Sequence, residues 1–160
     1  MGSMEKEYKK DFETWNKHAQ RLNSIHFEGF FHAREIWWCA LGVNIGSEQD
    51  GKNNLFERPV LIIRRMRFDQ LALIAPITTK IKDEDDRVCA YIMGEESQIL
   101  LSQIRVVSRN RLIRRFGTLK REVFNIVLIK IATMILNNGE SETPPVRRGI
   151  SEPEGVVSKL

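Results

Sequence analysis

The sequence is poor in cysteine, in histidine and in long apolar runs, and each shortage removes a class of protein. Its two cysteines, Cys39 and Cys89, are too few for a disulfide scaffold or a cysteine-rich zinc site. Both stand among apolar neighbours, Trp37-Trp38-Cys39-Ala40 and Val88-Cys89-Ala90, so both are expected as buried thiols in a reducing cytoplasm. No apolar stretch reaches the ~18–20 residues a membrane-spanning helix needs, and the polar, acidic N-terminus does not read as a secretory signal. A cytoplasmic protein with no membrane partner is expected. The three histidines, His18, His26 and His32, have no thiol or carboxylate set at ligand spacing, so neither a protein metal site nor a cofactor is expected. Acidic residues are missing altogether from Ser97 to Arg121, which holds seven basic ones.

What is present fits one globular domain with an extension. The chain has 160 residues, 42% hydrophobic and 29% charged, enough to bury a core without staples. The net charge of +4 is modest, but its distribution is not even. Between Arg58 and Arg121 stand fourteen basic and seven acidic residues. Such a zone suits a polyanion, although clustered arginines also serve as an ordinary solvated face.

Gly2-Ser3 ahead of Met4 reads as a cloning remnant of residues 1–3. Residues 5 to 26 are expected as a helix, with Tyr8, Phe12, Trp15, Ala19 and Leu22 on one stripe; with its linker it forms a unit over 4–33. Strands are expected at Glu35 to Leu41, Pro59 to Ile63, Leu71 to Ile77, Val88 to Ile92, Ile99 to Leu101, Ile104 to Val107 and Leu112 to Phe116. The second and third form a hairpin across Arg67-Phe68-Asp69. The polar stretch from Gly42 to Asn54 cannot hold an apolar face and is expected as a long, functional loop. Asp83-Glu84-Asp85-Asp86 lies in a charged turn. Gly117 is expected to end the strand region, before a helix from Lys120 to Leu136. These elements define a folded unit over 34–138, mainly β with flanking helices, and a tail over 139–160 expected to be disordered.

Three segments carry a resemblance. They are Glu35-Ile36-Trp37-Trp38 leading to Gly46-Ser47-Glu48-Gln49 and Glu57-Arg58-Pro59-Val60-Leu61-Ile62; Ala75-Pro76-Ile77-Thr78-Thr79-Lys80; and Leu100-Leu101-Ser102-Gln103-Ile104-Arg105-Val106-Val107 with Arg111 to Gly117 behind it. In this order and spacing the chain resembles the MazF/PemK-type toxins of bacterial toxin–antitoxin systems, from residue 35 to about residue 136. The N-terminal helix lies outside that likeness. The resemblance implies a small SH3-like β-barrel of the CcdB/MazF/PemK type, a homodimer, and a cognate antitoxin protein as partner. It also implies a sequence-selective, metal-independent endoribonuclease acting on single-stranded RNA. There the RNA's 2′-hydroxyl attacks the adjacent phosphate, leaving a 2′,3′-cyclic phosphate and a 5′-hydroxyl.

Such chemistry needs a proton acceptor, a stabiliser of the phosphorane and a donor for the leaving oxygen. The resemblance gives Arg58 and Thr78 the central roles. An arginine fork suits phosphate, while pairing with Glu57 on the surface is its structural alternative. Thr78 offers a hydroxyl, or is simply a β-branched strand end. Glu48 is the acidic candidate, to move a proton or to orient Arg58; a loop-solvating carboxylate is the other reading. Ser47, Gln49, Lys52, Thr79, Lys80, Ser102, Gln103 and Arg105 are the RNA-binding candidates. Ser102 stands where some members carry Asp or Glu, which removes one acid/base group. Trp37 and Trp38 alternate across a strand, so one belongs in the core and the other is more exposed, available for stacking on a base or for packing. Two other functions compete: a CcdB-like inhibitor of a protein such as DNA gyrase, disfavoured because no tryptophan follows Trp38, and an RNA-binding module without cleavage.

Overall fold

The computed structural model describes residues 8–137; the expected cloning remnant and the expected disordered tail lie outside them. Helix α1 spans Phe12–Ser24. It starts later than its periodicity suggests because Asp11 caps it, accepting from Thr14 N at 3.0 Å, a side-chain cap that fixes a helix start. Tyr8 and Lys10 therefore precede the helix. Of the expected stripe only Leu22 is buried, Trp15 and Ala19 are half-buried, and Phe12 is half exposed.

Seven strands follow: β1 (Glu35–Ala40), β2 (Glu57–Met66), β3 (Leu71–Thr78), β4 (Arg87–Ile92), β5 (Glu95–Leu100), β6 (Arg105–Ser108) and β7 (Leu112–Thr118). Helix α2 (Arg121–Leu136) ends the described fold. The strands are antiparallel in the order β4-β5-β3-β2-β1-β7, with β6 beside the first half of β3. One edge of β3 is thus shared: Leu71 to Ile74 pair with β6, and Ile77 and Thr78 pair with β5. This division bends β3 and curls the sheet. The expected small SH3-like β-barrel takes the form of a curled sheet, in which no ladder joins β4 to β7 among the described residues. The fold is otherwise the expected one, mainly antiparallel β with a helix at each end.

The β2 run Val60-Leu61-Ile62-Ile63 is apolar throughout because both of its faces are covered. Leu61 and Ile63 join Ala75, Ile77, Ile99, Leu101, Phe124, Val127 and Ile131 under α2. Val60 and Ile62 point the other way, toward Phe31, Trp37, Cys39, Ile74 and Leu112. Burial of a side chain of this size contributes ~1.5–3 kcal/mol, so this double-faced strand anchors the fold. The β2–β3 hairpin turns as expected through Arg67, Phe68 and Asp69, all at positive φ. A second hairpin, β4–β5, is tighter than the sequence suggests. Met93 and Gly94, at φ 50° and 83°, form a two-residue turn of the kind that twisted antiparallel strands favour.

Two expectations fail for simple reasons. Gly117 does not end the strands: it pairs with Ile36 and β7 continues to Thr118. Cys89 is exposed, whereas Cys39 is buried and its thiol is pushed up to about 12 by that burial. Strand β4 alternates, with Val88, Ala90 and Ile92 inward and Cys89 and Tyr91 outward, and a three-residue apolar window cannot reveal a period of two.

Candidate active site

Arg58 enters the site from the start of β2 and Thr78 from the end of β3. The ladder pairs Val60 with Pro76, and continuing the same register two residues brings Arg58 level with Thr78. Both line a cleft of about 270 Å³ with Lys52, Glu57, Trp38 and Phe116. Arg58 is only 6% exposed. Its Nε donates to Asp50 O at 2.7 Å and its Nη1 to Ile77 O at 3.3 Å. A guanidinium has five N–H donors, so two tethered ones leave the rest of the fork for an incoming anion. Burial lowers the Arg58 pKa, opposed by the Asp50 carboxylate and by Tyr8. Thr78 Oγ1 accepts from Lys80 N at 3.2 Å, which leaves its hydroxyl hydrogen to donate elsewhere.

The cleft has one aromatic and one acidic wall. Trp38 meets Phe116 edge-on at 5.6 Å, and the Arg114 guanidinium lies 4.9 Å over the Trp38 ring. Trp37, by contrast, is buried, so the two tryptophans divide as expected. Glu57, 3% exposed, does not pair with Arg58. Its carboxylate sits 3.3 Å from Arg114 Nη1.

The structure brings together Arg58, Thr78, Thr79 and Lys52 at this cleft, and sends the other expected residues elsewhere. Glu48 is not brought to Arg58. Its Oε2 accepts from Ile45 N at 3.1 Å, and it lines the groove between its own loop and α1 with Phe12, Trp15 and Asn44. The group that bonds the Arg58 Nε is the Asp50 carbonyl. Ser102 donates to Asp86, which ties it to the charged turn. Lys80 O accepts from Arg87 Nη1 at 3.3 Å.

Two expected RNA-binding positions, Gln103 and Arg105, hold the β1–β2 loop, in which two others, Ser47 and Gln49, lie. Gln103 Oε1 accepts from Gln49 N at 2.9 Å, and its Nε2 donates to Ser47 O at 3.2 Å. Arg105 Nη1 donates to Asn44 Oδ1 at 3.0 Å. Gln103 and Arg105 thus serve the loop's shape, with Ser47 and Gln49 as its anchoring points. The loop's neck is tight: Gly51 N donates to Gly42 O at 2.8 Å. A Cβ on Gly51 would lie 1.7 Å from Phe56 O, so only glycine fits there. Asp50 and Lys10, absent from the sequence-based set, complete the arrangement. The sequence offers little sign of Lys10, which periodicity places on a helix face. None of the three histidines lines the cleft, and among the described residues no His, Cys, Asp and Glu side chains group as metal ligands.

The family described as PemK-like, MazF-like toxin of type II toxin–antitoxin systems matches residues 32–135. Among solved structures, MazF from Deinococcus radiodurans is similar at 19% identity with a TM-score of 0.58, covering 68% of this chain and 98% of that one. A MazE–MazF structure from the same organism shares 16% identity, TM-score 0.53, over 68% and 97% of the two chains. An endoribonuclease in complex with its cognate antitoxin, from a mycobacterial species, shares 14% identity, TM-score 0.53, over 66% and 95%. No curated protein matches the chain. The match begins at residue 32, so α1 and the segment before it lie outside the shared core.

Proposed function

This chain belongs to the PemK-like, MazF-like toxins of type II toxin–antitoxin systems, and we propose that it acts there as a sequence-selective endoribonuclease on single-stranded RNA. The observation that carries the reading is the convergence of Arg58 and Thr78 in one cleft. The Arg58 fork stabilises the charge that builds on the phosphorane as the 2′-hydroxyl attacks. Burial, by lowering its pKa, makes it a better proton donor to the departing 5′-oxygen. Thr78 donates its hydroxyl to a non-bridging phosphate oxygen. Glu57 and Glu95 line this cleft and Glu48 does not; Glu57, the neighbour of Arg58 on β2, is the carboxylate proposed to accept the 2′-hydroxyl proton. Trp38 and Phe116 give a neighbouring base a stacking surface, and Lys52 and Thr79 approach the backbone.

A homodimer and a cognate antitoxin complete the reading. The outward side of α2, with Ile129 and Ile135 more than 60% exposed, is more apolar than a solvated helix face. The antitoxin is supported by relatives solved with theirs. No helix among the described residues is long and apolar enough to cross a membrane, and cytoplasmic RNA is the substrate proposed. The test is digestion of a mixed-sequence RNA pool in EDTA by the parent and by Arg58→Ala, with 5′-hydroxyl ends mapped. Cuts at one short motif, made by the parent and reduced about a thousandfold in the variant, are expected. RNA binding without cuts by a folded parent would instead make it a binding module.

A further inference from the structure

The segment ahead of α1 reaches the candidate site through Tyr8, which meets the Asp50 carboxylate, and more extensively through Lys10. Lys10 Nζ donates to Asn44 O at 2.6 Å and to Gly46 O at 3.0 Å, and lies 3.3 Å from Asp50 Oδ2. An ammonium has three donors, and here three acceptors on a single loop surround it. Asp50 is itself drawn inward: it is 8% exposed and its Oδ1 accepts from Asn44 N at 2.6 Å. Lys10 therefore closes a ring running from Asn44 to Asp50. Trp15, in the first turns of α1, secures the ends of the same loop. It packs on Gly42, where an added Cβ would fall 2.2 Å from the indole, and meets Phe56 edge-on at 5.5 Å. The carbonyl of Asp50 is the acceptor that fixes Arg58 Nε at 2.7 Å.

We propose that Lys10 is a positioning residue for Arg58: the N-terminal extension locks the Asn44–Asp50 ring, and the ring's last carbonyl aims the guanidinium. Its effect on rate rests on the endoribonuclease reading; its effect on the Arg58 tether does not. The Lys10 side chain is only 25% exposed and faces the loop, an arrangement suited to holding backbone and not to meeting a polyanion in solution. The core supplies a second hold on the same loop, at Ser47 and Gln49, through Gln103. The extension thus adds to a loop that the core alone secures at only a few points.

The test uses the full chain and the variants Lys10→Met, which keeps the stem and removes the donors, and Lys10→Arg, which restores them. Two readouts are taken: solvent exchange of the Arg58 Nε–H by NMR, and kcat and KM for cleavage of an RNA oligonucleotide carrying the mapped motif. In Lys10→Met the Nε–H is expected to exchange at least ~10-fold faster. Its kcat is expected to fall about tenfold while KM stays within about twofold. Lys10→Arg is expected to recover kcat to within about threefold of the parent. A merely structural lysine would lower the folded fraction and leave kcat per folded molecule unchanged, and an RNA-contacting lysine would raise KM; either result overturns the proposal. Unchanged Nε–H exchange in Lys10→Met also overturns it. Faster exchange in a protein whose parent cuts no RNA would uphold the tether and place the failure with the endoribonuclease reading.

Discussion

Thr78 and Arg58 stand level on neighbouring strands and line one cleft, yet two different kinds of structure hold them. Thr78 ends a strand whose register is set on both edges, by β2 on one side and by β5 on the other. Its place follows from apolar burial, since a one-residue slip would turn Ala75 and Ile77 out of the core. The Arg58 backbone shares that certainty, but its guanidinium does not. The fork takes one hold from the sheet, Ile77 O at 3.3 Å, and its shorter one, at 2.7 Å, from the carbonyl of Asp50, in a loop with almost no apolar content, itself held by Gln103, Arg105 and Lys10 through hydrogen bonds. The sheet thus places the catalytic candidates, and a polar loop outside it orients the more important one. Each such hydrogen bond contributes only about 1 kcal/mol net, so the loop is where small changes should alter activity without unfolding the protein.

The sharpest way to break this division is at the loop's neck. In Gly51→Ala the new Cβ would meet Phe56 O at 1.7 Å, and opening the loop is cheaper than disrupting β2. A fall in kcat of about a hundredfold, with the melting temperature lower by only a few degrees, is expected from single-turnover cleavage and thermal unfolding run together. Next comes the choice between carboxylates. Glu57→Gln is expected to lower kcat about a hundredfold as a lost proton acceptor, whereas Glu48→Gln, whose carboxylate only closes its own turn, should change it less than about twofold. Equal effects would return Glu48 to the site.

The smallest expected effect belongs to the sheet alone. Burial would raise the Glu35 pKa, but hydrogen bonds from Trp37 Nε1 and His32 N outweigh it and hold the carboxyl below 4.5. A depressed folded pKa contributes stability that is present above about 4.5 and is lost as pH falls through the lower folded value. Glu35→Gln is therefore expected to cost about 1 kcal/mol at pH 7, a penalty that shrinks as denaturant melts are repeated at falling pH below 4.5. It should leave kcat unchanged.

The same division explains what the sequence made legible. Strands β1 to β3, the β2–β3 turn and α2 follow from apolar runs and periodicity, because burial is what places them. Arg58 and Thr78 are legible as candidates through their neighbours Pro59 and Pro76, in the order of segments that carries the family resemblance. The loop was recognisable as a loop, but not its path. Glu48 and Asp50 are two residues apart in a polar stretch, and only the fold shows that one faces away while the other's backbone meets Arg58. Lys10 was hidden for a different reason. The Asp11 cap shortens the helix, and this frees a lysine that periodicity had assigned to a solvated face.

If the loop acts on catalysis through Arg58, a double-mutant cycle reveals it. Gln103→Leu releases the loop at Ser47 and Gln49, and Arg58→Lys removes the Nε–H that Asp50 holds while keeping a cation. Cleavage rates of the four proteins are compared under single-turnover conditions. Gln103→Leu is expected to slow the parent about tenfold and to slow the Arg58→Lys protein less than about twofold, because the tether it loosens is already gone. The same tenfold loss in both backgrounds would show that the loop serves cleavage by some route other than Arg58.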